Sequence, residues 1–384
     1  MKIAVLGTRG FPDIQGGVET HCEYLYPRLA GLGCEVVVFI REPYMKAPVG
    51  LYKGVKLVPL RCPRQKYFET IVHTFIGVFA SKQYNPDILH VHALGPSLCV
   101  PLARLLGMKV VVTHHGPDYK RKKWNRFAKA VLRLGEFCGM RFADRVIAIS
   151  GMIAKDIKKR YGRGAEVIPN GVELPSAAVT DGALRQYGLE RGKYILAVAR
   201  LVPEKGLHDL VESFGIVSLL SDSRNDEGGA VQRRNETEKL VIVGKSDHGD
   251  EYSRSLRKQA GRNKNIVMTG FLSGKPLHEL YSHAGLFVLP AYHEGLPIVL
   301  LEAMSYGLSC VASDIAANRE LGLADERYFP AGNVETLAKK LKEFINKPLT
   351  DQEKKEQVHR ISEGYNWDTI SRQTLKVYKT LIKT

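Results

Sequence analysis

Short runs of apolar, β-branched residues alternate with longer stretches of helical spacing along the first half of this chain. Lys2–Leu6 stops at a glycine-containing loop, and apolar positions at helical spacing follow over Val18–Leu32. The strand pattern returns at Glu35–Ile40, Asp87–Val91, Lys109–Thr113 and Arg145–Ile149, with helical segments at Pro96–Leu106 and Arg121–Phe142. Strands alternating with helices predict a parallel sheet covered on both faces. A second series begins near Tyr194, with strands at Tyr194–Ala199, Leu240–Val243, Asn265–Met268, Leu286–Leu289 and Ser309–Ala312. Its helices fit Pro203–Leu220, Asp250–Ala260, Lys275–Ser282 and Pro297–Tyr306. Two α/β units of similar size are predicted, joined through Pro169–Gly192, which is rich in Gly, Pro, Ser and Ala. Ser221–Glu238 is polar and glycine-containing and reads as an exposed loop insertion. A last helix from near Trp367 carries Trp367, Ile370, Leu375, Val377, Tyr378 and Leu381 as its apolar residues, a face suited to packing back on the first unit.

The length of 384 residues agrees with two domains, since one compact core rarely grows so large. None of the six cysteines forms a C-x-x-C pair, and several lie in apolar stretches, so reduced buried thiols are expected. The first apolar run ends at Gly7, too short for a signal peptide, and no stretch reaches the roughly 20 apolar residues of a membrane span. A cytoplasmic protein, soluble or peripherally attached, is expected. The net charge of +16 is uneven: residues 1–180 hold 27 Lys and Arg against 13 Asp and Glu. One half therefore attracts anions, and nucleic acid, an anionic membrane or a phosphate-bearing substrate are its candidate partners.

Three segments carry candidate chemistry. Gly7–Glu19 (GTRGFPDIQGGVE) runs from a strand into a helix, where Gly16 and Gly17 let the backbone approach a phosphate. It is neither a dinucleotide G-x-G-x-x-G nor a P-loop, which counts against NAD and ATP. Arg200 falls at a strand end and Lys205 at the start of the next helix, two cations suited to a diphosphate. Glu294 and Glu302 flank an apolar helix start, with Pro297 placed for the first turn and the amides of Gly295, Leu296 and Ile298 facing an anion. A glutamate as deep in an apolar helix as Glu302 needs hydrogen-bond donors, which sugar hydroxyls supply.

This R-x4-K, the E-x7-E and the early Gly-Gly loop resemble the GT-B glycosyltransferases of family 4, the large retaining group. His114-His115-Gly116, Val146–Ser150, Val167–Val172 and Ile242–Gly244 fit in order and spacing over nearly the whole chain, and GTRGFPDIQGGVET resembles a bacterial rhamnosyltransferase-like subgroup. The resemblance implies two Rossmann-like domains facing each other across a cleft: an acceptor-side domain at 1–175, a nucleotide-sugar domain at 176–365 and a C-terminal helix at 366–384. It implies catalytic roles for His115, Arg200, Lys205 and Glu294. Donor contacts are implied for Gly16, Gly17, Asn170, Gly244, Gly295, Leu296, Ile298 and Glu302, with Arg200 and Lys205 on the diphosphate, Glu294 on the transferred sugar and Glu302 on the ribose. Pro297 departs from the usual E-G-F-G form and removes one amide. The choice between His114 and His115 rests on strand alternation, which turns only one of them to the cleft.

The implied reaction is sugar transfer from a nucleotide sugar, UDP- before GDP-linked, to a saccharide or lipid-linked acceptor of envelope or exopolysaccharide biosynthesis. No D-x-D and no H-E-x-x-H occurs, so no metal and no cofactor is expected. Tyr119–Arg133 places Trp124, Phe127, Ala128, Val131 and Leu132 at helical spacing among Lys and Arg, the pattern of an interfacial helix on an anionic membrane or of a helix with a solvated cationic face. A sugar-nucleotide 2-epimerase shares the architecture but lacks this pairing of R-x4-K with E-x7-E, and an inactive scaffold relative would be expected to lose site residues that are all present here. Nucleic acid is not expected, because no nucleic-acid motif accompanies the charge.

Overall fold

The computed structural model describes residues 1–45, 50–63, 69–120, 124–175, 180–222, 238–246 and 249–382. Most of the anticipated insertion at 221–238 lies outside the described residues. The chain divides into two compact units, Met1–Gly171 with Tyr365–Thr384, and Val172–Gly364. The divisions fall four residues before the expected 175/176 boundary and one before 365/366. The C-terminal helix, Trp367–Ile382, is part of the first unit.

The first unit holds strands β1 (Lys2–Leu6), β2 (Glu35–Arg41), β3 (Leu51–Tyr52), β4 (Val55–Leu60), β5 (Ile88–His92), β6 (Val110–His114), β7 (Arg145–Ala148) and β8 (Glu166–Val167) in the order β3-β4-β2-β1-β5-β6-β7-β8. All pair in parallel except the β3–β4 hairpin. Ile3 to Leu6 are all buried, as expected of a strand covered on both faces. Helices Gly17–Gly31, Glu69–Gln83, Arg126–Phe142 and Gly151–Tyr161 are among the covering elements. The core gathers Val5, Leu25, Val38 and Ile88 with Trp367, Ile370 and Tyr378 from the C-terminal helix.

The second unit holds β9 (Tyr194–Val198), β10 (Lys239–Val243), β11 (Ile266–Gly270), β12 (Leu286–Leu289), β13 (Cys310–Ser313) and β14 (Tyr328–Phe329), all parallel, in the order β11-β10-β9-β12-β13-β14. This is the doubly wound order, and the strand sequence reverses direction between β9 and β12. In the first unit the same reversal lies between β1 and β5.

Three differences from the sequence reading have local causes. The segment Pro96–Leu106 forms two short helices, Leu94–Ser97 and Val100–Leu105, because Pro101 has no N–H to continue the ladder. Lys205 does not open the long helix. It ends a 3-10 turn, Pro203–Lys205, and left-handed Gly206 (φ 63°) separates that turn from the helix at Leu207. Pro297 is the cap of Ile298–Ser305 rather than its first helical residue, and its carbonyl accepts from the Leu300 and Leu301 amides. Helix Glu69–Gln83 and strands β3 and β4 were not anticipated. All six cysteines are free.

Candidate functional site

In an open α/β sheet, ligands bind beyond the carboxyl ends of strands at the point where strand order reverses. In the second unit this point collects the connection after β9 and the connection after β12. Arg200 lies two residues past β9, partly buried, on a loop tied to the next strand by Ala199 N–H to Val243 O and Leu201 N–H to Lys245 O. Gly244 lies on that neighbouring loop, its own N–H donated to Gly270 O at 2.8 Å. Gly206 is pressed against Pro290: a Cβ there would stand 2.0 Å from the Pro290 carbonyl oxygen. Only glycine permits this approach, and it brings the Lys205 turn beside the end of β12.

The result is an ion pair between Lys205 Nζ and Glu294 Oε1, with side chains only 16% and 11% exposed. Gly295 follows on the same loop, and Leu296 and Ile298 are buried. Glu302, further along helix Ile298–Ser305, accepts from the Tyr281 hydroxyl at 2.8 Å. Burial pushes its carboxyl up to about 7, against the lowering effect of that hydrogen bond. Tyr281 had no signal in the sequence, since it lies on a different helix, Gly274–His283. Glu204 is a second omission. It is 4% exposed, next to Lys205, and its carboxylate oxygens have no hydrogen-bond partner among the described residues.

The first unit separates the two glycines of its opening loop. Arg9 pairs with Glu19 at 3.0 Å and folds back to the Gln15 carbonyl at 2.5 Å. A Cβ on Gly16 would stand 2.0 Å from Glu19 Oε2, whereas one on Gly17 meets nothing within 4 Å. Gly16 thus serves the packing of the Arg9–Glu19 pair over the helix start, and Gly17 leaves open space. Burial raises the Glu19 carboxyl, but the Arg9 guanidinium and hydrogen bonds outweigh it and hold the group below its ordinary value.

The two adjacent histidines also part. His114 is buried, its Nε2 3.0 Å from Glu136 Oε1 and its Nδ1 accepting the Gly116 N–H, so it is committed to the interior. His115 is partly exposed and joins His21 and His92, with its Nε2 2.9 Å from His92 Nδ1. Asn170, buried at the end of the first unit, accepts from His21 Nδ1 at 3.0 Å. Burial holds His21 down at about 4 and His92 and His115 well below their ordinary range, so all three are neutral.

The sequence singled out neither His21 nor His92, although His90 and His92 stand two apart on β5, the spacing that puts side chains on one face. His21, His92 and His115 bring one nitrogen each within 4.8 Å of the others, the donor set of a divalent transition metal. Two ligands at tetrahedral angles on zinc are roughly 3.3 Å apart for bonds of 2.0–2.1 Å. The 2.9 Å between His92 and His115 is the shorter contact of a hydrogen bond.

On helix Arg126–Phe142 the anticipated apolar stripe is divided. Ala128 is buried, Val131 and Leu132 are half-buried, and Phe127 is 77% exposed. Leu134, Phe137 and Phe142 are exposed as well, beside exposed Arg126, Arg133 and Arg141. Residues 121–123 of the basic segment lie outside the described residues. Helix Glu69–Gln83 exposes Phe75, Ile76 and Phe79. Among the described residues no helix is long and apolar enough to cross a membrane.

Comparison with known proteins follows this division of the chain. Residues 183–366 match the family model described as glycosyl transferases group 1, and residues 15–175 match Glycosyltransferase Family 4. The phosphatidyl-myo-inositol mannosyltransferase of Mycolicibacterium smegmatis is 27% identical, covering 99% of this chain and 94% of its own. Among solved structures, sucrose-phosphate synthase of Thermosynechococcus elongatus superposes with a TM-score of 0.80 at 21% identity, covering 100% of this chain and 99% of that one. Anabaena HepE in complex with UDP-glucose gives 0.77 at 18%, covering 99% and 100%. The fold is the two-domain α/β fold of the GT-B glycosyltransferases.

Proposed function

We propose that this chain, a glycosyltransferase in both of its domains, moves a sugar from a nucleoside-diphosphate donor, UDP- before GDP-linked, to a saccharide or lipid-linked acceptor with retention at the anomeric carbon. The observation that carries this reading is the Lys205–Glu294 pair at the β9/β12 reversal, with Glu302 one helix turn and more beyond it. In the ligand-free protein Glu294 balances the Lys205 charge. On donor binding, Lys205 turns with Arg200 to the diphosphate, and Glu294 is released to accept from hydroxyls of the transferred sugar. Glu302 accepts from the ribose, and the amides of Gly295, Leu296 and Ile298 face the phosphates, while Gly244 lets the donor approach the end of β10. In the first unit, Gly17 and His115 serve the phosphates and the transferred sugar, and Asn170 fixes His21 beside them.

As the anomeric C–O bond breaks, negative charge grows on the leaving diphosphate, and preplaced cations stabilise it without reorganisation. A leaving-phosphate oxygen takes the proton of the acceptor hydroxyl as the new glycosidic bond forms. Side-chain cations do this work in our reading, without metal or cofactor, so a chelator should leave turnover unchanged. HepE with UDP-glucose supports the choice of base. A panel of sugar nucleotides read by thermal shift tests the assignment. A nucleoside diphosphate should raise Tm, Lys205→Ala should abolish the rise, and no response to any donor would overturn the reading.

We place the enzyme at the cytoplasmic face of the membrane, in envelope or exopolysaccharide synthesis. The exposed Phe127, Leu134, Phe137 and Phe142 among Arg126, Arg133 and Arg141 support this, because phenyl rings enter the interface while guanidiniums meet lipid phosphates. A relative named for a phosphatidylinositol acceptor points the same way. Sedimentation with phosphatidylglycerol vesicles should be salt-sensitive and weakened by Phe127→Ser with Phe137→Ser. Equal binding to neutral vesicles would remove this part of the proposal.

A further inference from the structure

The reaction outlined above leaves a line of buried polar groups in the first unit without a task. His90 Nε2 lies 2.7 Å from Thr113 Oγ1, and His90 Nδ1 lies 2.5 Å from the Tyr378 hydroxyl and 2.9 Å from the Tyr26 hydroxyl. The Tyr26 hydroxyl is 2.5 Å from His92 Nε2, and His92 Nδ1 is 2.9 Å from His115 Nε2. Tyr26, His90, His92, Thr113 and Tyr378 are at most 1% exposed, so water does not complete their hydrogen bonds. His115 alone is partly exposed, and its Nδ1 has no hydrogen-bond partner among the described residues.

The proton positions follow from counting donors. A neutral imidazole has one N–H and one lone pair, and a phenol has one O–H. Burial keeps these imidazoles neutral and both phenols protonated. The Tyr26 and Tyr378 hydroxyls also meet each other. The Tyr26 proton goes to His92 Nε2, at 2.5 Å the shorter of its two imidazole contacts, and the Tyr26 oxygen is left to accept from Tyr378 or from His90 Nδ1–H. In the Tyr26–His92 contact the phenol is the more acidic partner and therefore donates. His92 Nε2 then accepts, which puts the His92 proton on Nδ1, where it is donated to His115 Nε2. The remaining proton of His115 sits on Nδ1, its open nitrogen.

We propose that Tyr26 and His92 are positioning residues that hold His115 as the Nδ1–H tautomer, so that its open nitrogen presents a hydrogen-bond donor to an oxygen of the transferred sugar. The sugar contact rests on the function proposed above, while the tautomer does not. Tyr378 extends the line into the C-terminal helix, so the end of the chain helps to set the proton on His115. His21 is oriented independently. Its Nδ1 faces Asn170 Oδ1, an acceptor only, which leaves the His21 Nε2 lone pair as a contrasting acceptor beside the His115 donor.

Long-range proton–nitrogen correlation on the full chain, labelled with 15N-histidine and free of ligand, reads the tautomer directly. His115 should be protonated at Nδ1, and Tyr26→Phe should shift it toward the other tautomer. An Nε2–H signal for His115, or no change in Tyr26→Phe, would overturn the proposal. Kinetics separate positioning from packing. The amide of asparagine lies near the place of an imidazole Nδ1–H and that of glutamine near Nε2–H, so His115→Asn should retain more kcat than His115→Gln. Tyr26→Phe should lower kcat about tenfold with KM within about twofold, and should cause no further loss in the His115→Asn background. An equal loss in both backgrounds would assign Tyr26 to packing and sink the idea. If no nucleotide sugar binds at all, the proposed function fails while the tautomer result stands.

Discussion

Both units reverse their strand order beside their first strand, and each brings its candidate residues to that point. What gathers there differs in kind. The second unit holds an ammonium against a carboxylate, with a further carboxyl lifted by burial. The first holds four imidazoles, His21, His90, His92 and His115, all kept neutral by desolvation. A diphosphate calls for fixed charge, and a neutral sugar calls for directed hydrogen bonds that carry no charge. On the proposed function, the charged side chains of the second unit meet the diphosphate and the neutral imidazoles of the first meet the sugar, although the larger positive balance lies in residues 1–180.

Acid should weaken the first unit and largely spare the second, and this is the largest effect we expect. The folded pKa of each buried imidazole lies below the unfolded value near 6.5. As pH falls below 6.5 the unfolded chain takes up protons that the folded first unit refuses. Its stability should drop by about 1.4 kcal/mol per pH unit for each imidazole that stays neutral. For Glu302 the folded pKa is raised to about 7 from 4.5. Between pH 7 and 4.5 the folded second unit takes up that extra proton, a gain that offsets the cost of the burial that lowers His278 in the same unit. Trp124 and Trp367 are the only tryptophans and both belong to the first unit, so their fluorescence follows that unit alone. Tryptophan-monitored melting should fall steeply from pH 7 to 5, while hydrogen exchange in β9 and β12 stays protected. Parallel loss in both units would break the comparison.

The next effect belongs to the charged site. Lys205→Ala should lower kcat/KM by roughly 100- to 1,000-fold, the usual loss when one preplaced donor to a growing negative charge is removed. It also leaves Glu294 partly buried without its cation, so stability must be measured in parallel. The pair Lys205→Met with Glu294→Gln should recover the melting temperature without recovering turnover. Recovery of turnover would mean that the ammonium matters only for folding.

Glu302→Gln comes third. Below pH 4.5 wild type and variant should be equally stable, since the carboxyl is protonated in both states. Above pH 7 the variant should be the more stable by on the order of 1–3 kcal/mol, because it avoids ionising a buried group. Denaturant titrations at pH 4.5 and 8 check this, and a gain of equal size at both would show that burial of charge is not its cause.

How much of this was legible in the sequence depends on the physics behind each residue. Strands such as Lys2–Leu6 and Leu286–Leu289 were legible to the residue, because a strand buried on both faces is a continuous apolar run between loops. Arg200, Lys205, Glu294 and Glu302 stood out because charge in apolar surroundings is expensive and rarely idle. The pairing of Lys205 with Glu294, however, depends on the fold bringing together residues 89 positions apart and on Gly206 fitting against Pro290. Tyr26, His92 and Tyr378 were invisible for the same reason. Neutral polar residues in apolar strands and helices look like ordinary core, and only the closing of β5 and the C-terminal helix around them makes a network. Helix Glu69–Gln83 was missed because its apolar residues run almost all round it, which leaves no periodic face to find.

The smallest effect, and the one that sharpens the comparison within a single loop, is carried by adjacent glycines. A methyl group on Gly16 would collide with the Glu19 carboxylate and Arg9, so Gly16→Ala should lower Tm whether or not a donor is present. Gly17 opens the helix and faces empty space, so Gly17→Ala should leave stability within about 0.5 kcal/mol of wild type or raise it slightly. If the donor's phosphates approach the backbone there, the added methyl group should still raise the KM for donor, by about three- to tenfold, with kcat little changed. Gly17→Ala with an unaltered KM would remove the first unit from the phosphates and leave them to Arg200, Lys205 and the amides of Gly295, Leu296 and Ile298 in the second.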